Sequence, residues 1–321
     1  HSSSVPLGRR FEVARALYAH RAREADDRLS RRIGEVAGLM AQVEAEAIAR
    51  ARVVATTLTK LYTSGQLATH TADVVIIDET SIASLPLSFI AGCKAGTAVV
   101  AVGDFMQLPA IVQSSERIAQ QWLGRHVFNS AGADDAGREH PLRVMLDEQW
   151  RMHPRISRVV SQLFYAGRLR DAPAVTARAR PGPAIALLDS CNTPAASRRT
   201  AAGSKANEVH AERVAELVLR AGQRPVAVIA PYRAQVRLIR EAVRRRSPQA
   251  LRSGRVEVFT THRFQGRDKE LVIFDLTEAP GTGCRFLDDL REPQAGMLIN
   301  VALSRAREQL CLLAHTEHIT A

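Results

Sequence analysis

Two adjacent carboxylates, Asp78 and Glu79, follow the apolar run Val74-Val75-Ile76-Ile77 and precede Thr80-Ser81. A run of this kind reads as a buried strand, and in open α/β sheets ligands bind at the carboxyl ends of strands. Acids there suit nucleotide hydrolysis, one holding magnesium, usually through water, while its neighbour orients the attacking water. A strand-end Asp-Glu also serves as a helix N-cap, so the pair alone leaves both roles open. A second run, Ala98 to Val102, ends in Gly103-Asp104 and leads to Gln107-Leu108-Pro109. A Gln at that point can sense a terminal phosphate, and a Pro can fix the turn that carries it. Further on, Glu148-Gln149-Trp150-Arg151-Met152-His153-Pro154 sets an Arg beside an aromatic residue and stops at a Pro. Taken singly, Arg151 suits a surface ion pair as well as a phosphate.

The elements that must position these residues follow from the apolar pattern. Residues 9 to 52 are rich in Arg, Glu and Ala, with Ile33, Val36, Ala37, Met40, Val43 and Ala47 at helical spacing. One or two long, charged helices are expected there. From Arg52 the chain changes to short apolar runs alternating with helical patterns: Val53 to Ala55, Val74 to Ile77, Ala98 to Val102, Ile185 to Leu188, Val226 to Ala230, Val256 to Phe259, Leu271 to Phe274 and Leu310 to Leu313. Continuous apolar strands are buried on both faces, which implies an α/β fold with parallel sheets covered by helices. Loops are expected over 129–140 and over 173–203, the latter interrupted by one short strand. The first loop places a domain boundary near residues 141–147, giving a charged helical segment 1–52, a first domain 53–145 and a second 146–321.

Composition bounds the function. The 321 residues allow about two domains, and no apolar stretch approaches the roughly 20 residues of a membrane-spanning helix. The net charge is +11, from 44 basic and 33 acidic residues, and only Lys60, Lys94, Lys205 and Lys269 are lysines. The planar donor fork of Arg matches phosphate, so nucleic acid or nucleotide ligands fit this balance; a coding bias toward Arg accounts for the Arg/Lys ratio equally well. Cys93, Cys191, Cys284 and Cys311 lie far apart with no Cys-x-x-Cys pair, so neither a zinc module nor an iron–sulfur site is expected. A reducing, cytoplasmic setting is the simplest expectation.

Three later strings complete a recognisable series: Pro231-Tyr232-Arg233-Ala234-Gln235, Thr260-Thr261-His262-Arg263-Phe264-Gln265-Gly266-Arg267-Asp268, and Asn300-Val301-Ala302-Leu303-Ser304-Arg305-Ala306-Arg307. With Asp78-Glu79, Gly103 to Pro109 and Gln149 to Pro154, they resemble, in order, the motifs of superfamily 1 helicases. The class B subgroup, which includes the nonsense-mediated-decay helicase and senataxin, is the nearest in pattern. The resemblance implies two RecA-like domains with a helical stalk, and ATP hydrolysis in the cleft between the domains, driving 5′-to-3′ movement on single-stranded DNA or RNA. It implies magnesium at Asp78, polarisation of the lytic water by Glu79, γ-phosphate contact by Gln107, and arginine fingers at Arg151 and Arg305. Gln149, Trp150, Gln265, Gly266 and Asp268 would line the nucleotide site, with Trp150 in place of the usual Tyr and Asp268 in place of the usual Glu. Thr56, Thr57, Pro231, Tyr232, Thr260 and Thr261 would meet the nucleic acid, with simple strand-end caps as the alternative role of the four threonines.

One motif of that family is missing from these residues. A P-loop, Gly-x-x-x-x-Gly-Lys-Ser/Thr, requires a lysine preceded by glycine, and the four lysines follow Thr59, Cys93, Ser204 and Asp268. The expectation is a chain that begins after the P-loop, with an incomplete first domain, and that depends on a P-loop segment in cis or in trans for ATP turnover. A P-loop-less, non-enzymatic nucleic-acid-binding scaffold or partner subunit is the alternative.

Overall fold

The computed structural model describes residues 7–135, 137–264, 266–282 and 293–320. The charged N-terminal stretch is a single helix, Leu7–Arg50, of 44 residues, about 66 Å long at 1.5 Å per residue. Its Ala, Arg, Glu and Leu content favours helix, and Gly34 and Gly38 are tolerated at a cost of about 1 kcal/mol each. Residues 51–57, in contrast, form no strand. The expected strand Val53–Ala55 is therefore corrected: a strand must pair its backbone N–H and C=O groups, no described strand pairs with this run, and Val53 is 86% exposed.

The chain packs as two compact units, His1–Ile76 with Leu87–Val100, and Ile77–Pro86 with Ala101–Ala321. Packing thus groups residues 77–86 and 101–145 with the C-terminal unit, whereas the motif order groups them with residues 53–76. Strands β1 (Ala72–Ile77) and β2 (Ala95–Ala101) form a two-stranded sheet. Val74, Ile76, Val99 and Val100 are between 45% and 67% exposed. The expectation that these two runs are buried on both faces is not met, because two strands alone give the sheet no neighbours to cover it.

In the C-terminal unit two short strands, β3 (Glu148–Gln149) and β4 (Arg170–Asp171), pair in parallel. Next come β5 (Ile185–Asp189) and the antiparallel pair β6 (Arg198–Arg199) and β7 (Lys205–Ala206). Then follow β8 (Val226–Ala230), β9 (Val256–Thr260), β10 (Lys269–Asp275) and β11 (Ala306–Ala314). The main sheet is wholly parallel, in the order β5-β11-β10-β8-β9. Alternation of side chains along a strand explains why its runs are apolar throughout. Val226, Val228 and Ala230 face a core with helices Glu208–Arg220 and Arg233–Arg246. Ala227 and Ile229 face a second core with helices Pro154–Phe164 and Pro293–Ser304. The stretch 173–203 holds more structure than expected: besides β5 it contains a helix from Pro173 to Arg178 and the short strand β6, Pro being pre-organised for the first helical turn.

Candidate functional site

The Asp78-Glu79 turn is built by backbone bonds. Val102 N donates to Ile77 O and Thr80 N to Val102 O, each at 2.8 Å, so the chain after β1 is stitched to the chain after β2. The Thr80 hydroxyl donates to Ile77 O at 2.7 Å and is fully buried. Asp78 Oδ1 accepts the Glu79 N–H at 2.9 Å, and Glu79 has φ 52, a left-handed conformation that costs a non-glycine residue of order 1 kcal/mol or more. Both carboxylates remain exposed. Magnesium takes oxygen ligands, usually one or two carboxylates together with phosphate and water, and an exposed Asp78 carboxylate beside a second acid fits that donor set.

Gly103 makes this approach possible. A Cβ there would lie 2.9 Å from Thr80 N and 3.1 Å from Ser81 N, both backbone atoms that cannot swing aside. Gly103→Ala is expected to lower stability by about 1–3 kcal/mol, the usual cost of overpacking. The check is a fall in the urea midpoint at unchanged m-value.

Beyond Gly103, Asp104 organises the turn that carries Gln107. Its Oδ1 accepts the Met106 N–H at 3.0 Å, and its Oδ2 accepts from Gln107 Nε2 at 2.7 Å. With its amide nitrogen on Asp104, Gln107 must point Oε1 the other way, where Arg305 Nη2 donates to it at 2.7 Å. Arg305 lies between helix Pro293–Ser304 and β11, is 2% exposed, and keeps a buried Nε that has no hydrogen-bond partner among the described residues. Burial, and then the positive charge of Arg151, pull its guanidinium below the usual arginine range; Glu79, Tyr165 and Asp104 oppose them. A buried cation facing two acids and a glutamine, with one N–H unmet, is suited to receive a phosphoryl group.

The Trp150-Arg151 turn is held from below. Gln149 Oε1 accepts the N–H groups of Arg151 and Met152 at 2.9 and 2.7 Å, and its Nε2 donates to Met152 O and Asp171. Gln149 therefore shapes the turn, a role its sequence position did not disclose. Met152 is buried in the core, His153 caps the following helix, and His153 N donates to Arg307 O at 2.8 Å. These ties leave Trp150 61% exposed and Arg151 exposed. An open pocket of about 530 Å³ is lined by Gln149, Trp150, Arg151, Met152, Asp268 and Arg307, with Arg307 Nε 3.5 Å from Asp268 Oδ2. Gly266 is exposed with φ 78, and Gln265 lies outside the described residues.

The proposed nucleic-acid residues fall elsewhere. Tyr232 precedes helix Arg233–Arg246 and donates its hydroxyl to Glu278; Pro231 is half-buried. Thr260 ends β9, and Thr261 is 1% exposed, with no partner for its Oγ1 among the described residues. Pro231, Tyr232, Thr260 and Thr261 thus stand at the C-terminal edge of the parallel sheet, while Asp268 and Arg305 stand at the N-terminal edge of β10 and β11. A seven-residue strand makes those edges about 20 Å apart, and Phe264, between them in the chain, is fully buried. Thr56 and Thr57 lie in the other unit and follow coil; Thr57 caps helix Leu58–Thr63 by accepting the Lys60 N–H at 3.1 Å.

A parallel sheet covered on both faces, with charged and polar turns at its edges, defines a parallel-sheet α/β protein. Models of the family described as AAA domain match residues 131–317, more than half of the chain, and residues 9–115. A probable helicase of Dictyostelium discoideum is 31% identical over 84% of this chain and 28% of its own length. The DNA replication ATP-dependent helicase/nuclease of Mus musculus is 29% identical over 76% of this chain and 25% of its own. A regulator of nonsense transcripts homologue of Neurospora crassa is 28% identical over 75% and 22%. The chain belongs to the AAA-domain family of superfamily 1 helicases. It spans about a quarter of the length of these relatives.

Proposed function

We propose that residues 1–321 carry catalytic motifs of an ATP-dependent helicase or translocase moving 5′ to 3′ on single-stranded nucleic acid. The observation that carries this reading is the Gln107–Arg305 hydrogen bond, which joins two motifs 198 residues apart with Glu79 close enough to act on the arginine's charge. In this reading 53–145 and 146–321 are the two RecA-like domains and 1–52 is the stalk. Asp78 holds magnesium, which when bound offsets phosphate charge. Glu79 orients and deprotonates water, Gln107 contacts the γ-phosphate, and Arg151 and Arg305 neutralise the transferring group. The exposed face of Trp150, with Gly266 and Asp268, holds the nucleoside. Thr260, Thr261, Pro231 and Tyr232, with Thr56 and Thr57, hold backbone phosphates and sugars, contacts that give affinity without sequence readout. The 261–268 crossover links the two edges of the sheet, so a shift at one is felt at the other.

The P-loop comes from outside these residues, in cis or in trans. Residues 1–321 alone are accordingly expected to release phosphate from ATP at or near background. With the P-loop restored, magnesium-dependent release is expected, and Glu79→Gln should lower it by about 10²–10⁴, the range of a lost general base. Phosphate-release assays on the two proteins decide the matter. Phosphate release that stays at background with the P-loop restored would favour the non-enzymatic scaffold, and turnover unaffected by Glu79→Gln would take Glu79 out of the reaction.

A further inference from the structure

Two polar side chains stand directly behind the Gln107–Arg305 pair and have no role in the reading above. Tyr165, the C-cap of helix Pro154–Phe164, donates its hydroxyl to Asp104 Oδ2. Asn300 is fully buried, and its Nδ2 donates to Met106 O at 2.9 Å and to the Tyr165 hydroxyl at 2.8 Å. The Met106 carbonyl fixes that amide's orientation, since a flipped Asn300 would set two oxygens against each other. The donor directions then converge on Asp104: Asn300 to Tyr165 and Tyr165 to Asp104 on one side, Arg305 to Gln107 and Gln107 to Asp104 on the other. Asn300 and Arg305 are joined through the end of one helix, so the chain of bonds closes into a ring.

We propose that Tyr165 and Asn300 are positioning residues for ATP hydrolysis, fixing the Asp104 carboxylate so that Gln107 presents Oε1 to Arg305 and its rotamer is set before nucleotide arrives. This inference rests on the hydrolytic reading of Glu79, Gln107 and Arg305. Tyr165 touches no reacting atom; it acts through Asp104. Its phenol is pushed well above the ordinary tyrosine range by burial and then by the Asp104 charge and hydrogen bond, so it remains the donor at every pH at which the enzyme is assayed. A polar ring of this kind loses more than one bond's worth of order when one member is removed, because each bond aligns the next.

The test is steady-state ATP hydrolysis by the protein complete with its P-loop. Tyr165→Phe removes one oxygen and keeps the ring. It is expected to lower kcat about 10- to 100-fold, the worth of a hydrogen bond to a charged group, with the KM for ATP changed less than about twofold. The loss should be the same from pH 6.5 to 8.5, and the double variant Tyr165→Phe/Asn300→Ala should lose no more than Asn300→Ala alone, as expected for one connected network. An unchanged kcat, a rise in KM alone, or losses that multiply would overturn the proposal, as would a loss that merely follows a lowered melting temperature. If Tyr165→Phe does not fold, Asn300→Ala decides alone: a kcat loss at unchanged KM supports the proposal, and a normal kcat overturns it. Failure of the underlying reading shows separately, as Glu79→Gln retaining full turnover.

Discussion

Arg305→Ala, in the protein complete with its P-loop, is expected to abolish ATP turnover while nucleotide binding survives. In nucleoside-triphosphatases an arginine that meets the transferring phosphoryl group is worth about 10³ to 10⁵ in rate, and here the guanidinium is 2% exposed, held by Gln107 and left with an unmet Nε. Such a group acts when charge moves onto the γ-phosphate, so kcat and kcat/KM should fall together. Binding of a fluorescent ATP analogue should change by no more than about fivefold, because ground-state affinity comes mainly from base and phosphate contacts elsewhere. Arg305→Lys keeps the charge but not the planar fork, and should recover only a small part of the rate. Turnover within about tenfold of the parent protein in Arg305→Ala would show that the buried arginine is structural and that the finger, if any, is Arg151.

The largest effect on stability is expected at the opposite edge of the sheet. Lys205 Nζ lies 2.6 Å from Glu278 Oε2, with the two side chains 1% and 0% exposed, and Tyr232 donates to the other carboxylate oxygen while its ring lies 5.5 Å from the ammonium. Removing one partner of a buried pair strands the other charge in the interior and costs about 3–5 kcal/mol. Lys205→Met should therefore lower the melting temperature on the order of 10 °C for a unit of this size. The double variant Lys205→Met/Glu278→Leu should recover part of that, since the Lys205–Glu278 pair is then removed as a whole. Differential scanning calorimetry on the three proteins is the measurement, and a double variant as unstable as the single one would mean that packing around Tyr232, rather than charge, sets the cost. Nucleic-acid affinity gives a second reading of the same place, because the pair fixes the Tyr232 hydroxyl at the edge assigned to the strand.

Much of the second sheet was legible because its runs are apolar at every position. Val226–Ala230 can be buried only with helices on both faces, and its observed bounds coincide with the run. Val53 to Ala55 has the same local appearance and forms no strand, since strand formation depends on a partner as well as on side-chain type. The same reason separates β1 and β2 from expectation: their residues are apolar, yet the two-stranded sheet leaves Val74, Ile76, Val99 and Val100 open. Gln149 shows the limit for side chains. Its place in a motif string marks it as important, but only the contacts show that it holds the turn from below.

The sequence by itself determined the parallel α/β class, the ordered set of acids, glutamine and arginines, and the family to which they belong. Residue type and spacing carry that information because hydrophobic period and motif order are properties of the chain. Which groups meet was decided only by the tertiary structure. Gly103 admits the Thr80 backbone, Asp104 turns the Gln107 amide toward Arg305, and Tyr165 and Asn300, unremarkable in the chain, close the ring behind them. The division of the candidate residues between two edges of one sheet is likewise a matter of topology: β9 and β10 run parallel, so the segment that joins them must cross from the end of one strand to the start of the next.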